Sequence, residues 1–177
     1  MSPYLFACFI DSVVDKVKLS GVGCYVSMAF ISIFSYADDI LLLAPSVSSL
    51  QRILSLCEAQ LELLDMHVNT KKCSRIRFGP RFNVKCNSIS MIDECKLSWS
   101  DSIRYLAIYL RSSRTFACSI SHARLSMCRA FNAVFGKVGR TASPDAVVDL
   151  VKTKCLPTLC YGVEVCPVNK SHIGSIQ

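Results

Sequence analysis

The 177-residue chain lacks the features of an exported protein. Its N-terminus has no basic segment followed by an apolar core, so we expect no secretory signal peptide. It contains eleven cysteines, but the number is odd and no C-x-x-C pair occurs. This pattern argues against a disulfide framework and against a standard zinc site. We therefore expect reduced, mostly buried cysteines in an intracellular protein of the nucleus or cytoplasm.

A membrane span is also not expected, although residues 28–44 are apolar at most positions. Asp38 and Asp39 lie next to each other in this stretch, and two adjacent carboxylates would cost several kcal/mol in hydrocarbon. Two short buried strands joined by an acidic turn explain the same residues without a membrane.

The chain has no internal repeat and no low-complexity segment, and 51% of its residues are apolar. This composition excludes a disordered chain and provides enough apolar side chains for a core. The mean hydropathy of +0.38 is high. It is also consistent with apolar faces that another part of a larger protein would cover.

Acidic residues are scarce in the second part of the chain. Residues 1–68 carry three basic and seven acidic side chains, whereas residues 69–177 carry seventeen basic and six acidic ones. An acidic front and a basic back suit a protein that holds cations at one place and a phosphate backbone at another. A basic surface that is simply solvated explains the same charges.

The first part of the chain predicts a helix followed by a β-hairpin. Ser2 and Pro3 form a favourable helix start, and apolar residues at helical spacing continue to just before Gly21. The β-branched and aromatic run at residues 26–34 predicts one strand, and residues 40–43 predict a second. The short acidic connection between them allows only a hairpin.

The rest of the chain predicts a mixed segment followed by helices. Ser46 should cap a helix whose core face is Leu50, Ile53, Leu54, Cys57, Leu61 and Leu64. Strands are predicted at residues 75–78, at one or two places within 81–102, and at 103–110. Helix is predicted from about Thr115, and its apolar residues should be Ile120, Ala123, Leu125, Met127, Ala130, Phe131, Val134 and Phe135, with Arg124, Arg129 and Lys137 outside. A further helix should begin at the Ser143 cap and end at Pro157. The predicted fold class is α+β, with a boundary near Ser112.

Several short motifs occur in an order that resembles the reverse transcriptases of non-LTR (LINE-type) retrotransposons. They are Ser2-Pro3-Tyr4-Leu5-Phe6, Tyr36-Ala37-Asp38-Asp39, Asn69-Thr70-Lys71-Lys72-Cys73, Phe78-Gly79, Arg104-Tyr105-Leu106-Ala107 and the run from Leu156 to Glu164. Three residues depart from the family pattern, since Cys73, Ala107 and Cys166 stand where that family usually has Thr, Gly and Trp. These departures favour a decayed or partial copy of an element.

The resemblance implies a right-hand polymerase palm over residues 1–112 and a helical thumb over residues 113–177. The implied activity is RNA-directed DNA polymerisation with an RNA template, a DNA primer and deoxynucleotides. Two Mg²⁺ ions would offset charge during phosphoryl transfer, and carboxylates are their natural ligands. Asp38 would then be the direct metal ligand and Asp39 would assist it; a merely polar turn is the alternative.

The resemblance also assigns roles to residues outside the acidic turn. Lys72 would neutralise or protonate the leaving pyrophosphate, and Tyr36 would lie beside the primer end. Tyr105 and Leu106 would support the primer strand. The remaining candidates are basic residues that would follow the phosphate backbone: Arg124, Arg129, Lys137 and Arg140. A solvated surface for the charged residues and a core position for the tyrosines and the leucine are the alternatives.

In this family the metal site takes a third carboxylate from an earlier strand, which would precede Met1, as would the fingers. We therefore expect the isolated chain to be inactive or severely impaired. Two other interpretations stay open. One is a nucleic-acid-binding protein that uses its basic part without catalysis, and the other is a degenerate remnant without a function.

Overall fold

The computed structural model describes residues 3–139, 141–162 and 166. Ser2, Arg140 and Glu164 lie outside the described residues, as do the predictions that depend on them. The fold is α+β, as predicted: small antiparallel sheets accompany helices, and the C-terminal region is helical. The chain divides into two compact units, Met1–Arg75 with Lys85–Trp99 and Ile76–Val84 with Ser100–Gln177.

Among its described residues, the first unit contains two helices and three two-stranded antiparallel sheets. The helices are α1 (Pro3–Leu19) and α2 (Val47–Glu62). The strands are β1 (Cys24–Val26), β2 (Ala29–Ile31), β3 (Ile33–Tyr36), β4 (Asp39–Leu42), β5 (Ile89–Ser90) and β6 (Lys96–Leu97). They pair as β1 with β2, β3 with β4, and β5 with β6.

The predicted first helix is confirmed, and its apolar stripe forms part of a hydrophobic core. Ile10, Val13 and Val17 are buried at the i, i+3, i+7 spacing of one helical face. The same core holds buried residues of α2 and β3, namely Ile33, Ile53, Cys57 and Leu61. Helix α1 therefore packs where it can support the strand that leads into the acidic turn.

The prediction of a single strand at residues 26–34 is wrong. The chain reverses at Ser27, whose φ is 57°, so that Val26 pairs with Ala29 across a two-residue turn. β-Branched and aromatic residues favour extended backbone but carry no information about where it reverses. A serine with positive φ is uncommon, so the usual turn signals are absent here.

Helix α2 follows its prediction closely. The Ser46 hydroxyl accepts a hydrogen bond from the Ser49 N–H at 3.1 Å and caps the helix. The predicted core face is confirmed, since Ile53, Cys57 and Leu61 are buried. Two short strands within residues 81–102 are also confirmed as β5 and β6. The predicted strand at residues 75–78 is wrong, because only isolated bridges occur there, including Arg75 with Trp99.

The second unit contains a three-stranded antiparallel sheet followed by helices. The strands are β7 (Ser102–Tyr105), β8 (Ile108–Arg111) and β9 (Ala117–Ser119), in the order β7-β8-β9. The helices are α3 (Ser121–Val138), α4 (Pro144–Leu150) and α5 (Leu156–Cys160), with a π-helical turn at Val151–Cys155 between α4 and α5.

Two predictions in this unit are wrong, one for a strand and one for the start of a helix. Residues 103–110 form two strands instead of one, because the chain turns through Leu106 and Ala107, whose φ angles are 46° and 63°. Helix was predicted from about Thr115, but β9 comes first and α3 begins at Ser121. β9 contains Ala117 and Cys118, which have little strand preference, so its pairing with β8 decides its conformation.

The Ser143 cap of α4 is confirmed, since its hydroxyl accepts a hydrogen bond from the Ala146 N–H. Pro157 does not end the helical path, contrary to the prediction. It lies in the first turn of α5, where a backbone N–H would have no hydrogen-bond partner within the helix, so proline is tolerated there. The π-helical turn leads directly into that helix. The boundary near Ser112 stays a prediction.

Among the described residues, none of the helices combines the length and the apolar character needed to span a bilayer.

Candidate metal and nucleic-acid site

The acidic turn joins β3 to β4 as a tight hairpin, as the sequence predicts. Tyr36 pairs with Asp39, so Ala37 and Asp38 form a two-residue turn. The φ of Ala37 is 48°, which lies in the left-handed region that L-residues seldom adopt. Asp38 lies at the tip and Asp39 begins β4, and both side chains are exposed. The backbone therefore presents two neighbouring carboxylates to solvent.

The hairpin has one packed face and one open face. Side chains alternate along a strand, so Ile33, Ile40 and Leu42 share a face, and all three belong to the core of the first unit. Tyr36 and Asp39 share the opposite face. The Tyr36 side chain is 65% exposed, which contradicts the alternative of a core tyrosine. The carboxylate-bearing end is thus supported from one side and free on the other.

Hydrogen bonds and packing fix the base of the hairpin. The Leu43 N–H donates to the Ser32 carbonyl oxygen at 2.8 Å, which extends the ladder beyond the paired residues of β3 and β4. Ser32 is 1% exposed, and Ile33 beside it packs against α1 and α2. A packed and hydrogen-bonded base suits a site that must hold charges in fixed places.

The turn supplies some, but not all, of the ligands that a hard divalent cation needs. Carboxylate oxygens are the ligands that Mg²⁺ prefers, and two of them stand side by side at Asp38 and Asp39. Within the described ranges, however, no three His, Cys, Asp or Glu side chains are grouped so that they could hold a metal ion. The turn can therefore contribute ligands to a magnesium site but does not by itself complete one.

Lys72 lies on a structured turn in the first unit. The Lys72 N–H donates to the Asn69 carbonyl oxygen at 3.0 Å, and the Lys71 N–H donates to Asn69 Oδ1 at 3.2 Å. The asparagine of this motif thus has a structural role, since its side chain stabilises the turn that presents Lys72. The Lys72 ammonium is exposed, and no ion pair between it and either aspartate occurs in the described part of the chain.

Cys73, where the related motif has threonine, is half-buried beside the second small core formed by Ile89, Met91 and Leu97. Burial raises the pKa of its thiol, and the nearby carboxylate of Glu58 and thiol of Cys95 raise it further. The thiol therefore stays protonated at neutral pH and packs as a small apolar side chain here.

Apart from Tyr36, the predicted contacts to the primer and the nucleic-acid backbone belong to the second unit. Tyr105 ends β7, pairs with Ile108, and is half-buried, as is Leu106 in the following turn. Arg124, Arg129 and Lys137 are exposed on α3. They are free to meet an anionic partner, and a solvated surface explains their exposure equally well.

The predicted apolar face of α3 is wrong in part. Ala123, Met127, Ala130 and Val134 form the partly buried stripe, at the i, i+4, i+7, i+11 spacing. Other predicted core residues are exposed, by 54% for Leu125, 38% for Phe131 and 50% for Phe135. The rings of the two phenylalanines stack on each other at a centroid distance of 5.7 Å. Large apolar residues on more than one side of the helix made its inward face ambiguous in the sequence.

The sequence did not predict that two charged residues, Glu58 and Arg75, are buried. Glu58 is 8% exposed, and its Oε1 accepts a hydrogen bond from the Ile92 N–H at 3.3 Å. Burial raises the pKa of Glu58, the Ile92 hydrogen bond lowers it, and the Asp93 charge raises it again. Glu58 lies on the core stripe of α2 between Leu54 and Leu61, and a charged residue on such a stripe is the signal that could have identified it.

Arg75 is the second buried charge, and it is 6% exposed. Its guanidinium lies 4.2 Å from the ring centroid of Trp99, a cation–π arrangement. Burial lowers the pKa of Arg75. The pairing with the tryptophan follows from the bridge between the two residues, which no local pattern of the sequence indicated.

Comparison with known proteins gives one result. A family model described as "Reverse transcriptase (RNA-dependent DNA polymerase)" matches residues 1–110, which is more than half of the chain. Neither the curated proteins nor the solved structures contain a match to the chain.

Proposed function

The chain belongs to the reverse transcriptase family, and on that premise we propose that its acidic turn is part of the metal site of an RNA-directed DNA polymerase of the non-LTR retrotransposon type. The family implies a metal-dependent polymerase that acts on nucleic acids. The observation that carries the proposal is the position of Asp38 and Asp39, exposed at the end of a hairpin whose opposite face is packed into the core.

Mg²⁺ bound by these carboxylates would offset the negative charge that develops on the attacking and leaving oxygens during nucleotide addition. In this proposal Asp38 is the direct ligand and Asp39 assists it. The open face of the hairpin leaves Tyr36 beside the carboxylates, where its ring can pack against the sugar or base at the primer end. The rigid base keeps the carboxylates in place as the primer end arrives.

Lys72 is proposed to meet the triphosphate of the incoming deoxynucleotide. An exposed ammonium on a turn that Asn69 stabilises can neutralise the phosphate charge or donate a proton to the leaving pyrophosphate. Residues 1–112 would then be palm and residues 113–177 thumb. Tyr105 and Leu106 would support the primer, while Arg124, Arg129 and Lys137 would follow the backbone of the template–primer duplex.

We propose that the 177-residue chain does not extend a primer on its own. Two adjacent carboxylates repel each other and offer too few oxygen ligands to fix two octahedral cations, so a further carboxylate is needed. A primer-extension assay with Mg²⁺, an RNA template and a DNA primer tests this point. Nucleotide incorporation by the purified chain that is lost in Asp38→Ala would show that the site is complete within it.

The metal-binding role has its own experiment, which uses Mn²⁺ as a paramagnetic substitute for Mg²⁺. Electron paramagnetic resonance reports the free Mn²⁺ that remains in the presence of the chain. The double variant Asp38→Asn/Asp39→Asn should bind Mn²⁺ more weakly than the unaltered chain. The matched control is Asp11→Asn/Asp15→Asn, which removes two exposed carboxylates from α1 and should leave binding unchanged. Equal Mn²⁺ affinity in the turn variant would refute the proposed site.

A second candidate function is nucleic-acid binding without catalysis. The excess of basic residues after position 68 and the three exposed cations of α3 favour it. Binding to an RNA–DNA hybrid that is salt-dependent and unchanged in Asp38→Ala would support this candidate when extension is absent. If the Asp38→Ala variant no longer binds the RNA–DNA hybrid, the polymerase site is favoured instead.

A further inference from the structure

One end of the three-stranded sheet in the second unit carries two neighbouring loops. Residues 112–116 connect β8 to β9, and residues 77–84 lie beside them. These paired loops lie at the end of the sheet opposite the turn through Leu106 and Ala107. They are therefore separate from the residues that are proposed to support the primer.

Hydrogen bonds join the paired loops to each other. The Gly79 N–H donates to the Ser113 carbonyl oxygen at 3.0 Å. The Ser112 hydroxyl donates to the Arg77 carbonyl oxygen at 2.8 Å. Phe78 and Ser113 also form an isolated β-bridge. The two loops thus form one continuous surface.

The Arg77 side chain fixes the shape of the first loop. Its Nε and Nη2 donate to the Phe82 carbonyl oxygen at 3.3 and 2.9 Å, and Nη2 also donates to the Val84 carbonyl oxygen. The Phe82 N–H donates to the Gly79 carbonyl oxygen at 3.1 Å, which closes a turn that contains Arg81. The guanidinium of Arg77 therefore has a structural role, whereas Arg81 is exposed on the turn.

Two phenylalanine rings, one from each loop, meet on this surface. The centroids of the Phe78 and Phe116 rings are 5.5 Å apart, and the ring planes are inclined at 43°. The two side chains are 36% and 46% exposed, so each ring keeps an area open to solvent. Exposed aromatic rings in a positively charged groove are the features on which proteins stack unpaired bases.

Three exposed arginines belong to the same part of the sheet. Arg81 and Arg114 lie in the paired loops, and Arg111 ends β8 directly before the second loop. Neither loop contains an aspartate or a glutamate. Asp101 is adjacent in the ladder, since its carbonyl oxygen accepts a hydrogen bond from the Ser112 N–H, but its carboxylate forms no ion pair with these arginines among the described residues. The surface can therefore attract phosphates.

We propose that the paired loops bind single-stranded RNA. A base would stack on the ring of Phe78 or Phe116, and the three arginines would bind the flanking phosphates. A single strand fits better than a duplex, because the bases of a duplex already stack on each other. Arginine suits the flanking positions, since its guanidinium binds a phosphate through two N–H groups or lies flat on a base. The choice of RNA rests on the proposed function, in which RNA is the template.

Fluorescence anisotropy with a labelled oligouridine tests the proposal on the full chain. Phe78→Leu/Phe116→Leu keeps apolar side chains in both loops but removes the rings, so the affinity should fall about tenfold. Phe131→Leu/Phe135→Leu removes an exposed pair of stacked rings from α3 and should leave the affinity unchanged.

Several results of this measurement would overturn the proposal. They are the absence of oligouridine binding at low salt, an unchanged affinity in the loop variant, and an equal fall in the two double variants. An RNA–DNA hybrid should bind the loop variant as well as it binds the unaltered chain; a tenfold loss there would mean that the loops bind a duplex. Tighter binding of oligodeoxyuridine than of oligouridine would contradict the choice of RNA.

The arginines have a separate readout in the salt dependence of binding. Arg81→Gln/Arg114→Gln should reduce the slope of log affinity against log salt by about 0.7 for each phosphate contact that is lost. Lys152→Gln/Lys154→Gln removes the same charge from exposed positions of the π-helical turn and should reduce the slope less. An equal reduction in both variants would mean that net charge alone decides the affinity, which contradicts a site on the paired loops.

Ultraviolet cross-linking of the unaltered chain to oligouridine does not depend on how the variants fold. Mass spectrometry should locate the cross-link at Phe78 or Phe116, and cross-links confined to other residues would exclude the proposed site. Asp38→Asn/Asp39→Asn should keep this cross-link, because the acidic turn belongs to the first unit. The Mn²⁺ measurement and the RNA measurement can therefore fail independently of each other.

Discussion

The side chain of Gln51 forms two hydrogen bonds with the backbone of Ser90. Gln51 Nε2 donates to the Ser90 carbonyl oxygen at 2.7 Å, and the Ser90 N–H donates to Gln51 Oε1 at 2.8 Å. The side-chain amide thus takes the place of a strand beside β5. Two turns further along α2, Glu58 binds the N–H of Ile92. Two polar side chains of one helix therefore hold a segment that has only short strands of its own.

Replacing Gln51 by methionine should destabilise the first unit. The substitution keeps the length of the side chain but leaves two backbone groups of Ser90 without these partners, which costs about 1–3 kcal/mol. Urea unfolding followed by circular dichroism measures the change in the free energy of unfolding. Gln60→Met is the matched control, since Gln60 lies on the same helix and has no side-chain hydrogen bond within the described residues. Equal losses in both variants would exclude the role assigned to Gln51.

The stability contributed by Glu58 should depend on pH. Burial is the main cause that raises the pKa of this carboxyl above its ordinary value of 4.5. The folded state therefore keeps the proton at a pH where the unfolded chain has lost it. Stability from this group is fully present below pH 4.5 and is lost as the pH rises through the raised pKa.

It follows that Glu58→Gln should be more stable than the unaltered chain at pH 7. Glutamine remains neutral and can still accept the Ile92 hydrogen bond, so the advantage should shrink as the pH falls toward 4.5. Urea unfolding at pH 7 and at pH 4 tests both statements. Glu62→Gln, at the exposed end of α2, should show no comparable gain. A Glu58→Gln variant that is less stable at pH 7 would contradict the argument.

Ala107→Gly should stabilise the second unit. Leu106 and Ala107 both have positive φ angles in the β7–β8 turn, a conformation that costs an L-residue about 1–2 kcal/mol and glycine nothing. After the larger chain entropy of unfolded glycine is subtracted, we expect a net gain of about 0.5–1 kcal/mol in the free energy of unfolding. Chemical denaturation measures it.

The control for this variant is the same substitution in the exposed middle of α3. Ala133→Gly should destabilise by about 1 kcal/mol, because glycine is a poor helix former. Opposite signs for one substitution at two positions would confirm that the backbone conformation at residue 107 causes the gain. A loss of stability in both variants would mean that the turn is not strained.

Local signals in the sequence identified the helices and the acidic hairpin. Ser46 and Ser143 cap helices as predicted, because a cap depends on residues within one turn of each other. The hairpin at Asp38 and Asp39 could be predicted since its two strands flank a short polar connection. In each case the residues that decide the structure are neighbours in the sequence.

The features that were wrongly predicted or missed do not follow from a pattern of neighbouring residues. The reversals at Ser27 and at Leu106-Ala107 place residues other than glycine at positive φ angles, which a local sequence pattern seldom indicates. β9 depends on its pairing with β8, and the buried carboxylate of Glu58 depends on a backbone group 34 positions away. Local patterns contain no information about such partners.

The last prediction concerns the basic residues of α3. The triple variant Arg124→Gln, Arg129→Gln, Lys137→Gln should weaken binding to an RNA–DNA hybrid, since exposed cations that contact phosphates release counterions. Each lost contact should reduce the slope of log affinity against log salt by about 0.7–0.9. Fluorescence anisotropy across a salt series measures this slope. The matched control replaces the three basic residues of the acidic front, Lys16, Lys18 and Arg52, which are also exposed, by glutamine. If the slope of log affinity against log salt falls by the same amount in both triple variants, the effect comes from net charge alone and α3 has no specific part in binding. A smaller reduction in the control variant would place the nucleic acid on α3.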